Sequence, residues 1–208
     1  DHMVAEHEFN GSVIVTKDGE TILSKGYGWA NIEHQIPNTP QSKFRIGSMT
    51  KQFTAMAILI LHEQGKFDLD DPISSYIPNP PKIWSEITIH QLLTHTSGIM
   101  HSWALPGFRE TMMMPASFAE TIERFKDRPL LFEPGENFQY SGVGYFILAQ
   151  IIEQVTGETY EDFLRHSIFA PLGMNATGAD HYRKNLSHRA IGYTRNQTGH
   201  LEKAPPIY

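Results

Sequence analysis

The chain has 208 residues, 40% of them hydrophobic and 19% charged, which suits one domain with a substantial buried core. Its net charge of −6 is scattered rather than blocked, and no run of about eighteen apolar residues occurs, so a nucleic-acid footprint and a membrane span are both excluded. The absence of cysteine removes disulfides, thiol nucleophiles and cysteine-ligated zinc, without fixing a redox compartment.

Asp1-His2-Met3 reads as a cloning remnant, and no signal peptide is present in this chain. Val13–Thr16 and Thr21–Ser24 are β-rich runs flanking Lys17-Asp18-Gly19-Glu20, and an Asp-Gly pair between such runs predicts a hairpin. Gly26, Gly28 and the Pro37–Pro40 stretch then lead into a loop ending near Phe44. From Met49 to Gln64 the period becomes helical. Phe53, Met56, Ala57, Ile60 and Leu61 share one face, and Ala55, Ile58 and Leu59 extend the apolar surface nearly all round, as in an interior helix. Ser48 falls where an N-cap is expected, and Gly65 is a C-terminal stop.

Pro72, Pro78, Pro80 and Pro81 keep the next stretch irregular. Thr88-Ile89-His90-Gln91 has the form of a capping box and opens a short helix through Leu92 and Leu93. Gly98–Pro115 is a loop rich in Met and aromatic residues, Ser117–Lys126 is helical, and Pro129–Asn137 is loop. Gly142–Val155 predicts a second buried helix with Tyr145, Leu148, Ile152 and Val155 on one face. Thr159–Ile168 predicts a further helix, stopped by Pro171 and Gly173. The tail from His181 is polar and ends on Pro205-Pro206-Ile207-Tyr208 without a closing element. Two strands do not make a stable sheet alone, so the chain reads as a single incomplete domain. Strands and a connecting loop occupy 1–45, a mainly helical part 46–180, and the tail 181–208.

Ser48-Met49-Thr50-Lys51 places a hydroxyl and an amine three residues apart on one helical face, within reach of each other. A serine hydroxyl needs a base to accept its proton before it can attack. A lysine amine, with an ordinary pKa of about 10.4, serves as that base only when burial or a neighbouring cation lowers it. The positive end of the helix would favour an anion developing nearby. Taken alone, Ser-x-x-Lys occurs often by chance and is better read as a capping serine and a solvated lysine.

The surrounding text is more specific. Phe44-Arg45-Ile46-Gly47-Ser48-Met49-Thr50-Lys51-Gln52-Phe53-Thr54-Ala55 is followed by Leu92-Leu93-Thr94-His95-Thr96-Ser97-Gly98. Then come Pro134-Gly135-Glu136, Tyr140-Ser141 and Pro171-Leu172-Gly173-Met174. In this order, from about Phe9 to Tyr193, the chain resembles the serine β-lactamase and penicillin-binding protein superfamily, in particular its class C β-lactamase, esterase and D-aminopeptidase branch.

The resemblance implies an α+β, β-lactamase/transpeptidase-like fold: an antiparallel sheet flanked by helices, with a mainly helical subdomain and the active site between them. It implies that the C-terminal strands lie beyond this chain, to be supplied by a second segment or chain. It also implies that Ser48 becomes acylated, that Lys51 assists proton transfer, and that Tyr140 shuttles the proton; which of Lys51 and Tyr140 is the base stays open. Two departures stand out. The Asn of the family's Tyr-x-Asn motif is Gly142 here, after Tyr140 and Ser141, and the third motif, Lys-Thr-Gly or His-x-Gly, does not occur. The strand carrying that third motif supplies one of two oxyanion-hole N–H donors, and losing one such donor costs on the order of 100- to 1000-fold in rate. This stretch of chain is therefore expected to be poorly active unless another segment completes it. By the same resemblance a periplasmic or secreted location is favoured.

Ser141, Gly142, Met100 and Trp103 are the candidate substrate contacts, the last two because Met suits loosely specified apolar ligands; the same loop serves equally as a cover for the helices beneath it. His90, His95 and His101 lack the His-Glu-x-x-His spacing of a zinc site, and in the resemblance His95 belongs to a structural turn. Asp68, Asp70 and Asp71 sit before Pro72 without the EF-hand pattern and read as a solvated turn. No metal or cofactor is expected. The expected activity is hydrolysis of an ester, a D-amino-acid peptide or amide, or a β-lactam through an acyl-enzyme. The alternative is a non-catalytic penicillin-recognising or cell-wall-associated binding protein of the same fold.

Overall fold

The computed structural model describes residues 9–181 and 185–205; Asp1-His2-Met3 and the Pro206-Ile207-Tyr208 end of the tail lie outside them. The described residues divide into two compact units, one within 9–46 and 180–205 and the other within 47–179.

The first unit begins with the expected hairpin. β1 (Gly11–Lys17) pairs antiparallel with β2 (Glu20–Tyr27), closing on Lys17 and Glu20. Asp18 and Gly19 both take positive φ, 53° and 82°, the backbone twist that a two-residue turn needs to match the strands. Two further pairs follow that the sequence pattern did not disclose. β3 (Trp29–Asn31) pairs with β4 (Ile36–Pro37), and β5 (Tyr193–Arg195) with β6 (Leu201–Lys203). At two or three residues each they are too short for a visible alternation. The polar tail is thus partly closed: Asn196 Oδ1 accepts from the N–H groups of Thr198 and His200, fixing the β5–β6 turn through side-chain chemistry. The tail is also tied back within the unit. Lys43 bridges Arg189, and the Asp180 carboxylate holds the guanidinium groups of both Arg45 and Arg189 at 2.6 Å.

The second unit is helical. Its helices are α1 (Lys51–Glu63), α2 (Ile89–Leu93), α3 (Phe108–Thr111), α4 (Phe118–Glu123), α5 (Gly142–Thr156) and α6 (Tyr160–Leu164), the last running into a wide π turn over Arg165–Phe169. α5 is the centre: Val143, Ile147, Leu148, Ile151 and Ile152 are fully buried, and α1, α2, α4 and α6 all pack on it. Trp84, Ile87, Ile89, Leu92 and Phe125 complete the core from the loops and short helices.

Local signals explain where the helices start and stop. Thr88 and Gln91 cap each other reciprocally at α2, as do Ser117 and Glu120 at α4, and Gly157 ends α5 in the left-handed region at φ 73°. Two expectations need correction. Ser48 is not a helix N-cap: Gly47–Thr50 form a 3₁₀ turn, and Thr50 precedes α1 without a side-chain cap. Nor is α1 buried all round, because Thr54, Ala57, Ile58 and Leu61 face inward while Met56 and Leu59 stay exposed.

Candidate active site

Ser48 sits in the 3₁₀ turn and Lys51 opens α1 immediately after it. In a 3₁₀ turn residues i and i+3 eclipse one another, so the turn narrows the offset between hydroxyl and amine. Lys51 Nζ donates to Ser48 Oγ at 3.2 Å. Tyr140, two residues before α5, brings its phenol to the same point, and Ser48 Oγ and Tyr140 Oη share a hydrogen bond of 2.5 Å. Lys51 Nζ also lies 4.9 Å from the centre of the Tyr140 ring and 5.3 Å from that of Tyr145. The sequence motif pair therefore converges: hydroxyl, amine and phenol form one connected group, with Ser48 exposed and the other two half-buried.

Burial, the largest influence on the Tyr140 phenol, pushes its pKa up. Hydrogen bonds with Lys51 and Ser48 and the Lys51 charge outweigh burial and leave it below the ordinary tyrosine value. Tyr145 moves the other way, raised by burial and by its proximity to Tyr140, and its hydroxyl donates to the Leu93 carbonyl instead. A phenol whose pKa is lowered beside an ammonium, with a serine hydroxyl 2.5 Å away, is an arrangement able to accept the serine proton.

Two histidines complete the surroundings. The His95 ring lies 4.6 Å from that of Tyr140, tilted by 42°, and the His101 ring stacks on it at 5.3 Å and 24°. Burial and then the Lys51 charge lower the pKa of both imidazoles, so both favour the neutral form. Sequence reasoning placed His95 in a turn and did not foresee its ring contact with Tyr140; the one available signal was the closeness of three histidines around a Ser-Gly turn.

The candidate substrate contacts divide. The Ser141 side chain is buried, and its hydroxyl donates to the Met100 carbonyl at 3.0 Å. Met100 packs half-buried against the core, whereas Trp103 is more than half exposed, edge-on to Phe108. Gly142 begins α5 with room for a side-chain carbon: a Cβ built there would meet only Ser102 Oγ, at 3.6 Å, an ordinary contact. Elsewhere, the Asp71 carboxylate accepts from the Asp68 N–H and from Tyr76 Oη, so it braces a turn. Among the described residues no three potential metal-ligating side chains cluster, and no helix is long and apolar enough to cross a membrane.

A family model described as Beta-lactamase matches residues 1–207. A penicillin-binding protein of Bacillus subtilis (strain 168) is 33% identical over 195 residues, covering 90% of this chain and 42% of its own length. The crystal structure of a penicillin-binding protein from Bacillus halodurans superposes with a TM-score of 0.89 at 29% identity, covering 99% of this chain and 65% of that one. A D-amino acid amidase from Ochrobactrum anthropi SV3 superposes with a TM-score of 0.78 at 30% identity, covering 95% and 55%. The α+β, β-lactamase/transpeptidase-like fold is thereby established, and the chain spans less than half the length of the curated relative.

Proposed function

We propose, from the premise that this chain belongs to the Beta-lactamase family, that it carries the acyl-accepting centre of a serine hydrolase. Ser48 Oγ attacks a substrate carbonyl carbon while its proton passes to Tyr140 Oη. The C=O electron pair moves to the oxygen. Collapse of that intermediate expels the leaving group, which takes the proton back from Tyr140, and water then repeats the cycle on the Ser48 ester. Tyr140 is the base in this reading, with Lys51 its electrostatic support. With Tyr140 as phenolate, the Ser48 hydroxyl is the donor in their shared hydrogen bond, while its Oγ accepts from Lys51.

The observation that carries the proposal is the convergence of Oγ, Nζ and Oη at 3.2 and 2.5 Å. Substrates of the fitting class are esters, D-amino-acid amides or peptides and β-lactams, and the amidase named above supports the amide. A second reading, a non-catalytic penicillin-recognising protein, is favoured by one observation: glycine at 142 offers no amide to orient an acyl group. Labelling of the complete natural protein with a fluorophosphonate and a fluorescent penicillin separates the two. The hydrolase reading expects labelling that Ser48→Ala abolishes; an unlabelled wild-type protein supports the binder.

A further inference from the structure

His95 is joined to the segment Gln139-Tyr140-Ser141 at three separate points. Its carbonyl accepts from the Gln139 N–H at 2.9 Å, and its Nδ1 accepts from the Ser141 N–H at 3.2 Å. The residues on both sides of Tyr140 are thus fastened to one residue, and the imidazole also lies against the phenol ring at 4.6 Å. Further ring contacts, with Tyr145 at 5.2 Å and Phe138 at 6.0 Å, hold the imidazole in place.

The anchor is itself fixed. His95 follows Thr94 at the end of α2, where its N–H donates to the Leu92 carbonyl, and Leu92 is fully buried in the core. It also holds φ at 60°, a left-handed conformation that costs a residue other than glycine roughly 1 kcal/mol or more and persists only where the surroundings impose it. A turn of this kind could be built more cheaply on Gly or Asn. What His adds is an acceptor at Nδ1 together with a flat ring of the right size to brace Tyr140.

We propose that His95 is the positioning residue for Tyr140, setting the phenol over Ser48 through an acceptor that exists only while the imidazole is neutral. This rests on the acyl-transfer reading given above. An accepting Nδ1 requires the proton on Nε2; protonation turns both ring nitrogens into donors and sets an N–H against the Ser141 N–H. The groups facing His95 are the Lys51 ammonium from α1, His101 from the following loop, and the phenols of Tyr140 and Tyr145 at α5. Lys51 and burial both disfavour the imidazolium, so the accepting form prevails at neutral pH and is lost in acid.

The test is the rate of Ser48 acylation by a fluorophosphonate across pH, in the complete natural protein, for wild type, His95→Leu and His95→Asn. Asparagine tolerates the left-handed backbone and places Oδ1 near the position of Nδ1; leucine supplies bulk but no acceptor. His95→Leu is expected to slow labelling roughly 100-fold, the scale of a small misplacement of a reacting group. His95→Asn is expected to recover most of that loss and to lack the acid inflection of the wild type, because its amide does not titrate. If leucine and asparagine are equally slow, or if asparagine keeps the wild-type acid inflection, the inference fails. A far-ultraviolet circular dichroism spectrum identifies an unfolded leucine variant, in which case the asparagine profile decides alone. Absence of wild-type labelling would refute the hydrolase reading instead, a result distinct from any of these.

Discussion

Lys51→Met removes the ammonium while keeping a flexible side chain of similar length at the first position of α1. With it go the 3.2 Å donation to Ser48 Oγ, the hydrogen bond with Tyr140, and the charge 4.9 Å from the Tyr140 ring centre and 5.3 Å from that of Tyr145. Burial raises the phenol pKa, and only the bonds and charge of Lys51 with the Ser48 bond bring it down. Without Lys51 the balance reverses, so Tyr140 rises above its present value and the phenolate forms at higher pH. A wild-type acylation rate should climb with pH through the depressed Tyr140 value and then level. In Lys51→Met the climb should begin later.

The magnitude follows from what is lost. Proton transfer to a positioned base contributes roughly 100- to 10,000-fold, and a loss in this range is expected near neutral pH, where the variant holds little phenolate. The deficit should narrow as the pH approaches that of an ordinary tyrosine, about 10. Fluorophosphonate labelling at a series of pH values measures this, with Tyr140→Phe as the control that has no phenolate at any pH. A Lys51→Met deficit of constant size at every pH, with the inflection unmoved, would refute the assignment of Tyr140 as base and leave Lys51 in that role.

Two expectations concern stability and are read from urea unfolding midpoints. Ile151→Ala empties a fully buried position on the central helix and should cost about 2–5 kcal/mol. Thr88→Ala breaks the reciprocal cap at α2, where Thr88 Oγ1 accepts from the Gln91 N–H at 3.2 Å, and should cost about 0.5–2 kcal/mol. Because His95, which fastens Tyr140, lies two residues beyond the end of α2, this variant should also slow Ser48 labelling without changing its pH profile.

Legibility followed the scale of each signal. The hairpin was readable because Asp18-Gly19 announces the one turn that fits two short runs, and α5 because its apolar residues recur over four turns. β3, β4, β5 and β6 escaped because their pairing is carried by backbone and by Asn196, not by a side-chain alternation. The burial of α1 was overestimated because periodicity reports which side chains are apolar, and not which of them find a partner: Met56 and Leu59 have the character of core residues and lie exposed. Ser48 and Lys51 were visible as a pair, and Tyr140 became visible only through motif order, since nothing local distinguishes its phenol from a core aromatic. His95 stayed hidden because its function depends on a left-handed backbone and on hydrogen bonds to residues 44 and 46 positions away, neither of which a residue type discloses.

The same contrast bears on why a serine and a lysine three apart form a centre here. On an ordinary α-helix such residues share a face but are rotated from one another by about 60°, and a long lysine there is free to turn toward water. Here Ser48 to Thr50 lie in a tight 3₁₀ turn, which narrows that offset before Lys51 enters α1. The Tyr140 and Tyr145 rings, 4.9 and 5.3 Å from Nζ, then close the route by which the amine would leave. The chemistry at Ser48 therefore depends less on the motif itself than on two things the motif does not contain. One is the local overwinding from Gly47 to Thr50, and the other is a phenol held by the end of a distant helix.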